Sequence, residues 1–116
     1  MAFLSRAAVS VRPLKPYLEW AKLDDDGGQQ AERVYESLRM KPHAFLLPEC
    51  VDPAAQEAVL RDFWPDIFAS MLNGWLRDEA QWPQPRTREM FEQWFELTWI
   101  SMVEDLDPDE PLGLLE

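Results

Sequence analysis

The residues best suited to nucleophilic chemistry are His43 and Cys50, each the only residue of its type in the chain. His43 begins a short apolar segment, and Cys50 follows it seven positions later. A cysteine nucleophile needs a base that a third group orients, and nothing in the sequence arranges such a group. We therefore interpret His43 as an ordinary strand-end histidine and Cys50 as an ordinary small thiol, and we expect no catalytic residue.

Carboxylates are the second kind of reactive group, and the chain has 22 of them. So many acidic residues produce accidental pairs, but Glu49 follows the same apolar segment, where the end of a sheet could form a site. A partial calcium pattern places ligands at loop positions one, three, five and twelve, but Glu110 stands where the turn needs glycine. We expect no metal and no cofactor. The residues of that pattern are Asp105, Asp107, Asp109 and Glu116.

Tryptophan is the most informative residue type, with six copies in 116 residues. Trp75, Trp94 and Trp99 fall on apolar stripes and are expected in the core, whereas Trp20, Trp64 and Trp82 lie off the stripes or beside prolines. Exposed tryptophan with arginine is typical of binding hot spots. Candidate partner or ligand-binding residues are therefore Trp64, Trp82, Arg86 and Glu49. For Trp82 and Arg86 we favour a structural role, in which the indole packs on the domain and Arg86 pairs with a local carboxylate.

The elements that must position these residues follow from hydrophobic spacing. Alternating apolar residues predict strands over residues 7–12, 43–47 and 97–104. Helical spacing predicts five helices: residues 14–22 and 31–40, one from Pro53 to Trp64, a second after Pro65 that reaches Leu76, and one that begins at Pro85. The sequence therefore predicts a single α+β domain. Its antiparallel or mixed sheet has about three strands, about five helices pack mainly on one face, and residues 105–116 form an acidic tail.

The last predicted strand is apolar on both faces, which is typical of a strand in the centre of a sheet. Thr98, Ile100 and Met102 make up its second face. In so short a chain a helix or a partner would have to cover that face, and a homodimer is left open.

Charge limits the classes of partner. Asp and Glu number 22 against 11 Lys and Arg, which gives a net charge of −11. This field repels nucleic acid and anionic lipid and attracts basic proteins. The single cysteine excludes an internal disulfide and favours a cytoplasmic location, and no apolar run reaches the ~20 residues of a membrane span.

The segment from Trp82 to Phe95 resembles a family of small acidic bacterial proteins of unknown function. The resemblance rests on the signature W-P-x-x-R-x-x-x-M-F-x-x-W-F, which runs from Trp82-Pro83 through Arg86 to Trp94-Phe95. It implies a shared fold over most of the chain and no activity, cofactor or catalytic residue.

We therefore expect a non-enzymatic interaction module whose acidic surface binds an unidentified, basic protein. An inhibitor or nucleic-acid mimic is a sharper form of this hypothesis. The alternative is a small enzyme or ligand-binding domain with a tryptophan-lined pocket near Trp82, Arg86 and Glu49.

Overall fold

The computed structural model describes residues 2–115, which form an α+β fold of four α-helices and two small antiparallel sheets. The helices are α1 (Lys15–Lys22), α2 (Gln29–Met40), α3 (Pro53–Asn73) and α4 (Arg88–Trp94), with a 3₁₀ turn at Glu79–Gln81. The strands are β1 (Ala2–Phe3), β2 (Arg6–Pro13), β3 (His43–Pro48), β4 (Phe95–Ile100) and β5 (Glu104–Asp105). The predicted α+β class and the first two predicted strands are confirmed, whereas the third strand spans Phe95–Ile100 and not residues 97–104.

The main sheet has the order β3-β2-β4, so the first of the three long strands is the central one. Val9 lies opposite Phe45 on one side and Trp99 on the other. The expectation that the last strand is central is therefore wrong, because β4 is an edge strand and one of its faces stays open. β2 is central because it carries small and β-branched residues that are buried, such as Ala7, Val9 and Val11.

The second sheet continues the first across an irregularity. Ala8 pairs with Ile100 and Phe3 pairs with Glu104, so residues 4–7 of one strand face residues 101–103 of the other. One extra residue on the N-terminal strand is the signature of a β-bulge. β1–β2 and β4–β5 therefore form one long antiparallel ribbon, and the predicted strand 97–104 is interrupted at residues 101–103.

An aromatic cluster fills the space between the inner sheet face and the helices. Phe68 of α3 is fully buried, and its ring centroid lies 5.9 Å from that of Phe91 and 5.3 Å from that of Phe95. Tyr17 of α1 adds a third layer, 5.7 Å from Phe95, and its hydroxyl donates a 2.9 Å hydrogen bond to the carbonyl oxygen of Met71. These contacts place α1, α3 and α4 against the same face of the sheet.

The helix α3 corrects the predicted number of helices. The sequence predicts a break at Trp64-Pro65, but α3 runs through Pro65 without interruption for 21 residues. Pro65 cannot donate to the carbonyl of Arg61, and both residues are exposed, so water can solvate that carbonyl. The buried residues Leu60 and Ile67 lie on either side of the proline, and packing of this stripe keeps the helix in one piece. Within residues 2–115, no helix is long and apolar enough to cross a membrane.

The start of α4 also differs from the prediction. The helix begins at Arg88, not at Pro85, because the Thr87 side chain caps it by accepting a 3.1 Å hydrogen bond from the backbone N–H of Met90. Pro85 precedes the helix and follows a cis peptide bond. The predicted start of α3 at Pro53 is confirmed, and Asp52 caps the helix by accepting a 2.7 Å hydrogen bond from the N–H of Ala55.

Candidate functional site

A groove of about 570 Å³ opens where three segments of the chain meet. The segments are α1, the 3₁₀ turn with the proline that follows it, and the end of α4. Its volume lies in the range of small-molecule and peptide sites. The lining residues are Pro16, Glu19, Trp20, Leu23, Gln81, Pro83 and Trp94.

Two tryptophans form the floor of the groove. The ring centroids of Trp20 and Trp94 lie 6.1 Å apart, and each indole presents only a small edge to solvent. The Nε1 of Trp20 donates a 3.1 Å hydrogen bond to the carbonyl oxygen of Gln81, which ties α1 to the 3₁₀ turn. The floor is therefore built from the core and is rigid.

The walls are prolines and a leucine, with one carboxylate. Pro16 lies in the first turn of α1, where a proline is tolerated, and Pro83 follows the C-cap of the 3₁₀ turn. Leu23 is the C-cap of α1, and it is 85% exposed although its side chain is apolar. Glu19 is the single ionisable side chain among the lining residues. The groove is thus apolar with a negative charge on one side.

The predicted candidates Trp82 and Arg86 lie beside the groove without lining it. Trp82 is 8% exposed, and its Nε1 donates a 2.7 Å hydrogen bond to the carbonyl oxygen of Leu76. The guanidinium of Arg86 lies 5.5 Å from the Trp82 ring centroid and donates a 3.1 Å hydrogen bond to the carbonyl of Pro83. These contacts favour the structural interpretation, with one difference: among the described residues, Arg86 stacks on the indole and bonds a backbone carbonyl, and it forms no ion pair.

The other two candidates lie elsewhere. Trp64 of α3 is half-buried, and its ring centroid lies 6.1 Å from that of Phe91 in the aromatic cluster. Glu49 is exposed in the segment that follows β3. Neither residue lines the groove, so the structure does not bring the four predicted candidates together there.

His43 and Cys50 are separated by the length of β3. His43 pairs with Val11 at one end of the strand, whereas Pro48, two residues before Cys50, pairs with Arg6 at the other. Five residues of strand span ~17 Å, too far for a hydrogen bond. Cys50 is buried, and burial, together with the charge of Asp52, raises the pKa of its thiol. A raised pKa disfavours the thiolate that nucleophilic attack requires.

The described part of the acidic tail shows local turns. The Asp105 carboxylate accepts a 2.9 Å hydrogen bond from the N–H of Asp107, and Glu116 lies outside the described residues. Across residues 2–115, no three His, Cys, Asp or Glu side chains are placed to share a metal ion.

Sequence reasoning assigned Trp94 to the core and left Pro16, Glu19 and Leu23 without a role. Leu23 gave a signal, since it is a large apolar residue directly before the acidic run Asp24-Asp25-Asp26. The other lining residues become neighbours only through the fold. In the comparisons with known proteins, no family model matches the chain, and no curated protein or solved structure matches it either.

Proposed function

We propose that this protein is a non-enzymatic interaction module that binds an extended, proline-containing and basic segment of another protein in the Trp20–Trp94 groove. The observation that carries the proposal is the lining itself, in which two indole edges, two prolines and Leu23 surround a single carboxylate. Aromatic grooves of this kind recognise polyproline II segments, whose backbone is already ordered before binding. The cytoplasmic location, favoured by the single cysteine, is part of the same proposal.

Charge selects the occupant of the groove. Glu19 can pair with an arginine or lysine that flanks the prolines, and a net charge of −11 attracts a basic segment from a distance. Attraction between exposed charges weakens as salt screens it, so binding should weaken at high ionic strength. A protein that blocks a basic site on its partner, such as an inhibitor or nucleic-acid mimic, would act through the same charge.

The test uses two labelled synthetic peptides of ten residues, in which proline and leucine alternate. One peptide is flanked by two arginines and the other by two glutamates. Fluorescence anisotropy should show saturable binding of the arginine peptide alone. Leu23→Asp and Glu19→Lys should each weaken it about tenfold, equivalent to about 1.4 kcal/mol. Glu36→Lys is the matched control, because it changes the net charge equally on the exposed side of α2. Equal weakening by Glu36→Lys and Glu19→Lys would reject the groove as the binding site.

A second candidate function is the binding of a small apolar amine in the same groove, since its volume also suits a drug-sized ligand. One carboxylate among apolar walls provides a charge partner for such an amine but no acid–base pair. Protein-observed NMR with a panel of aromatic and aliphatic amines distinguishes this function. Shifts at Trp20 and Trp94 that saturate with an amine, without binding of the arginine peptide, would favour the small ligand.

A further inference from the structure

The outer face of the main sheet is open and apolar. Residues paired directly across antiparallel strands project to the same side, which places Leu46, Ala8 and Ile100 in one row on the face away from the helices. Leu46 is 44% exposed and Ile100 is 41% exposed. We call this surface the outer sheet face. It includes the next row along the strands, Ala44, Ser10 and Thr98.

The apolar surface continues along the ribbon beyond the bulge. Phe3 and Met102 are exposed there, and Leu106 follows β5. At ~3.4 Å per residue and ~4.8 Å between strands, the sheet and ribbon offer roughly 500 Å² per copy. Two such faces would bury roughly 1,000 Å², near the lower limit of a specific interface.

We infer that a second copy of this chain covers the outer sheet face and forms a twofold-symmetric dimer of two stacked sheets. The first argument is shape. The row Leu46-Ala8-Ile100 carries two large side chains, and the adjacent row Ala44-Ser10-Thr98 carries only small ones. Consider a twofold axis that lies parallel to the sheet, runs perpendicular to the strands and passes between these two rows. It places the row with large side chains of each copy on the row with small side chains of the other. This face is therefore complementary to itself, as a twofold interface must be.

The second argument is charge. Two molecules with a net charge of −11 repel each other over most of their surface. The outer sheet face differs, because its two flanking rows hold two arginines and one carboxylate: Arg12 lies beside Glu96 in one row, and Arg6 lies beside Pro48 in the other. The same twofold axis sets Arg6 of the second copy opposite Arg12 of the first, with Glu96 of the first copy next to Arg12 on the neighbouring strand. The proposed interface therefore avoids the excess of carboxylates that repels two copies over the rest of their surface.

The test is the mass of the full chain by analytical ultracentrifugation over a range of concentrations. We expect a concentration-dependent dimer of twice 13.6 kDa. Salt should strengthen it, since screening reduces the repulsion between the two acidic copies. Binding of the arginine peptide in the groove should respond to salt in the opposite direction, so failure of one proposal can be told from failure of the other.

Substitutions locate the interface. Ile100→Lys and Leu46→Lys should each raise the dimer dissociation constant at least tenfold, whereas Val51→Lys should leave it unchanged. Val51 is a suitable control because it is 71% exposed in the loop before α3. Circular dichroism checks that each variant is folded. A shift of the same size in Val51→Lys would overturn the proposed interface.

Charge exchange tests the geometry without removing apolar contacts. Arg6→Glu should strengthen the dimer, because it sets a carboxylate opposite Arg12 of the second copy, whereas Glu96→Arg should weaken it by adding a third cation beside Arg12 and Arg6. Weakening by Arg6→Glu would overturn the proposed axis.

The acidic tail is the competing occupant. A full chain that stays monomeric at all concentrations overturns the proposal. A full chain that is monomeric while a chain lacking residues 106–116 dimerises would show that the tail, not a second copy, covers the face, and this also overturns it.

Discussion

The indole N–H of Trp82 donates a 2.7 Å hydrogen bond to the carbonyl oxygen of Leu76. This bond closes the connection between α3 and the 3₁₀ turn, and the guanidinium of Arg86 covers the same ring. Pro83 follows Trp82 directly and lines the groove. Trp82 and Arg86 thus fix the position of Pro83, although neither of them lines the groove.

Replacing Trp82 by phenylalanine should lower the free energy of unfolding by about 1–3 kcal/mol, because the Leu76 carbonyl loses its donor. Trp75→Phe is the matched control. The Nε1 of Trp75 is buried without a hydrogen-bond partner among residues 2–115, so its removal relieves an unsatisfied group. Urea denaturation measures the free energy of unfolding of the two variants. An equal loss in the two variants would show that ring volume, not the hydrogen bond, sets the cost.

Substitution by alanine should change the free energy of unfolding in opposite directions at Pro65 and Pro53. Pro65 lies inside α3, and alanine would supply the N–H that the Arg61 carbonyl lacks, which should raise the free energy of unfolding by about 1 kcal/mol. Pro53 is in the first turn of α3, where alanine gains no bond and adds freedom to the unfolded chain. That variant should lose about 0.5 kcal/mol. Thermal unfolding compares the two, and a destabilised Pro65→Ala would show that the helix is packed around the proline.

Tyr17 should make the protein sensitive to alkali. Burial raises the pKa of its hydroxyl to about 12, from an ordinary value of 10.0. The folded state therefore holds a proton that the unfolded state releases, so this contribution to stability is complete below pH 10 and is lost as the pH rises toward 12. Urea denaturation across this range should show the loss in the native protein and a smaller one in Tyr17→Phe. If the free energy of unfolding falls equally steeply with pH in both proteins, the loss of stability comes from other groups.

The ion pair between Glu57 and Arg88 should make the stability of the fold depend on pH in the acidic range. Arg88 donates hydrogen bonds of 2.9 and 3.2 Å to the Glu57 carboxylate, and these hold its pKa below the ordinary value of 4.5. Because the folded-state pKa is lowered, the pair stabilises the fold above the unfolded-state pKa, and this contribution disappears as the pH falls through the folded-state value. NMR titration of the glutamate carboxyl carbons measures the shift.

Arg88→Ala should return the Glu57 pKa toward 4.5, whereas Arg61→Ala should move it less, because Arg61 acts on Glu57 through its charge and not through a hydrogen bond. An unchanged pKa in Arg88→Ala would mean that the bridge between α3 and α4 does not persist in solution.

Local patterns in the sequence predicted α1, α2 and the three long strands, because each depends on the spacing of a few neighbouring residues. They failed where packing outweighed a local signal. Pro65 predicts a helix end, but the stripe that continues from Leu60 to Ile67 is buried on one face, and the proline faces solvent. Pro85 predicts a helix start, but the Thr87 side chain provides the cap three residues into the predicted helix.

The groove could not be predicted in the same way. Trp20, Pro83 and Trp94 come from three segments, and a hydrogen bond from Trp20 to Gln81 ties α1 to the turn that precedes Pro83. Trp82 stood out in the sequence because of its neighbouring prolines and Arg86, and in the structure Arg86 stacks on its ring. The residues that stood out in the sequence, Trp82 and Arg86, thus position the groove, whereas the residues that line it have no distinctive sequence pattern.

The central position of β2 has a consequence for synthesis of the chain. Val9 pairs with Phe45, 36 residues later, and with Trp99, 90 residues later. While the ribosome is still making the chain, one edge of β2 has no partner until β4 has emerged. Unpaired edges of apolar strands invite aggregation, so the nascent chain would gain from chaperone protection until that point. Completion of the sheet is therefore a late event, and interrupted translation before Phe95 should yield aggregating fragments.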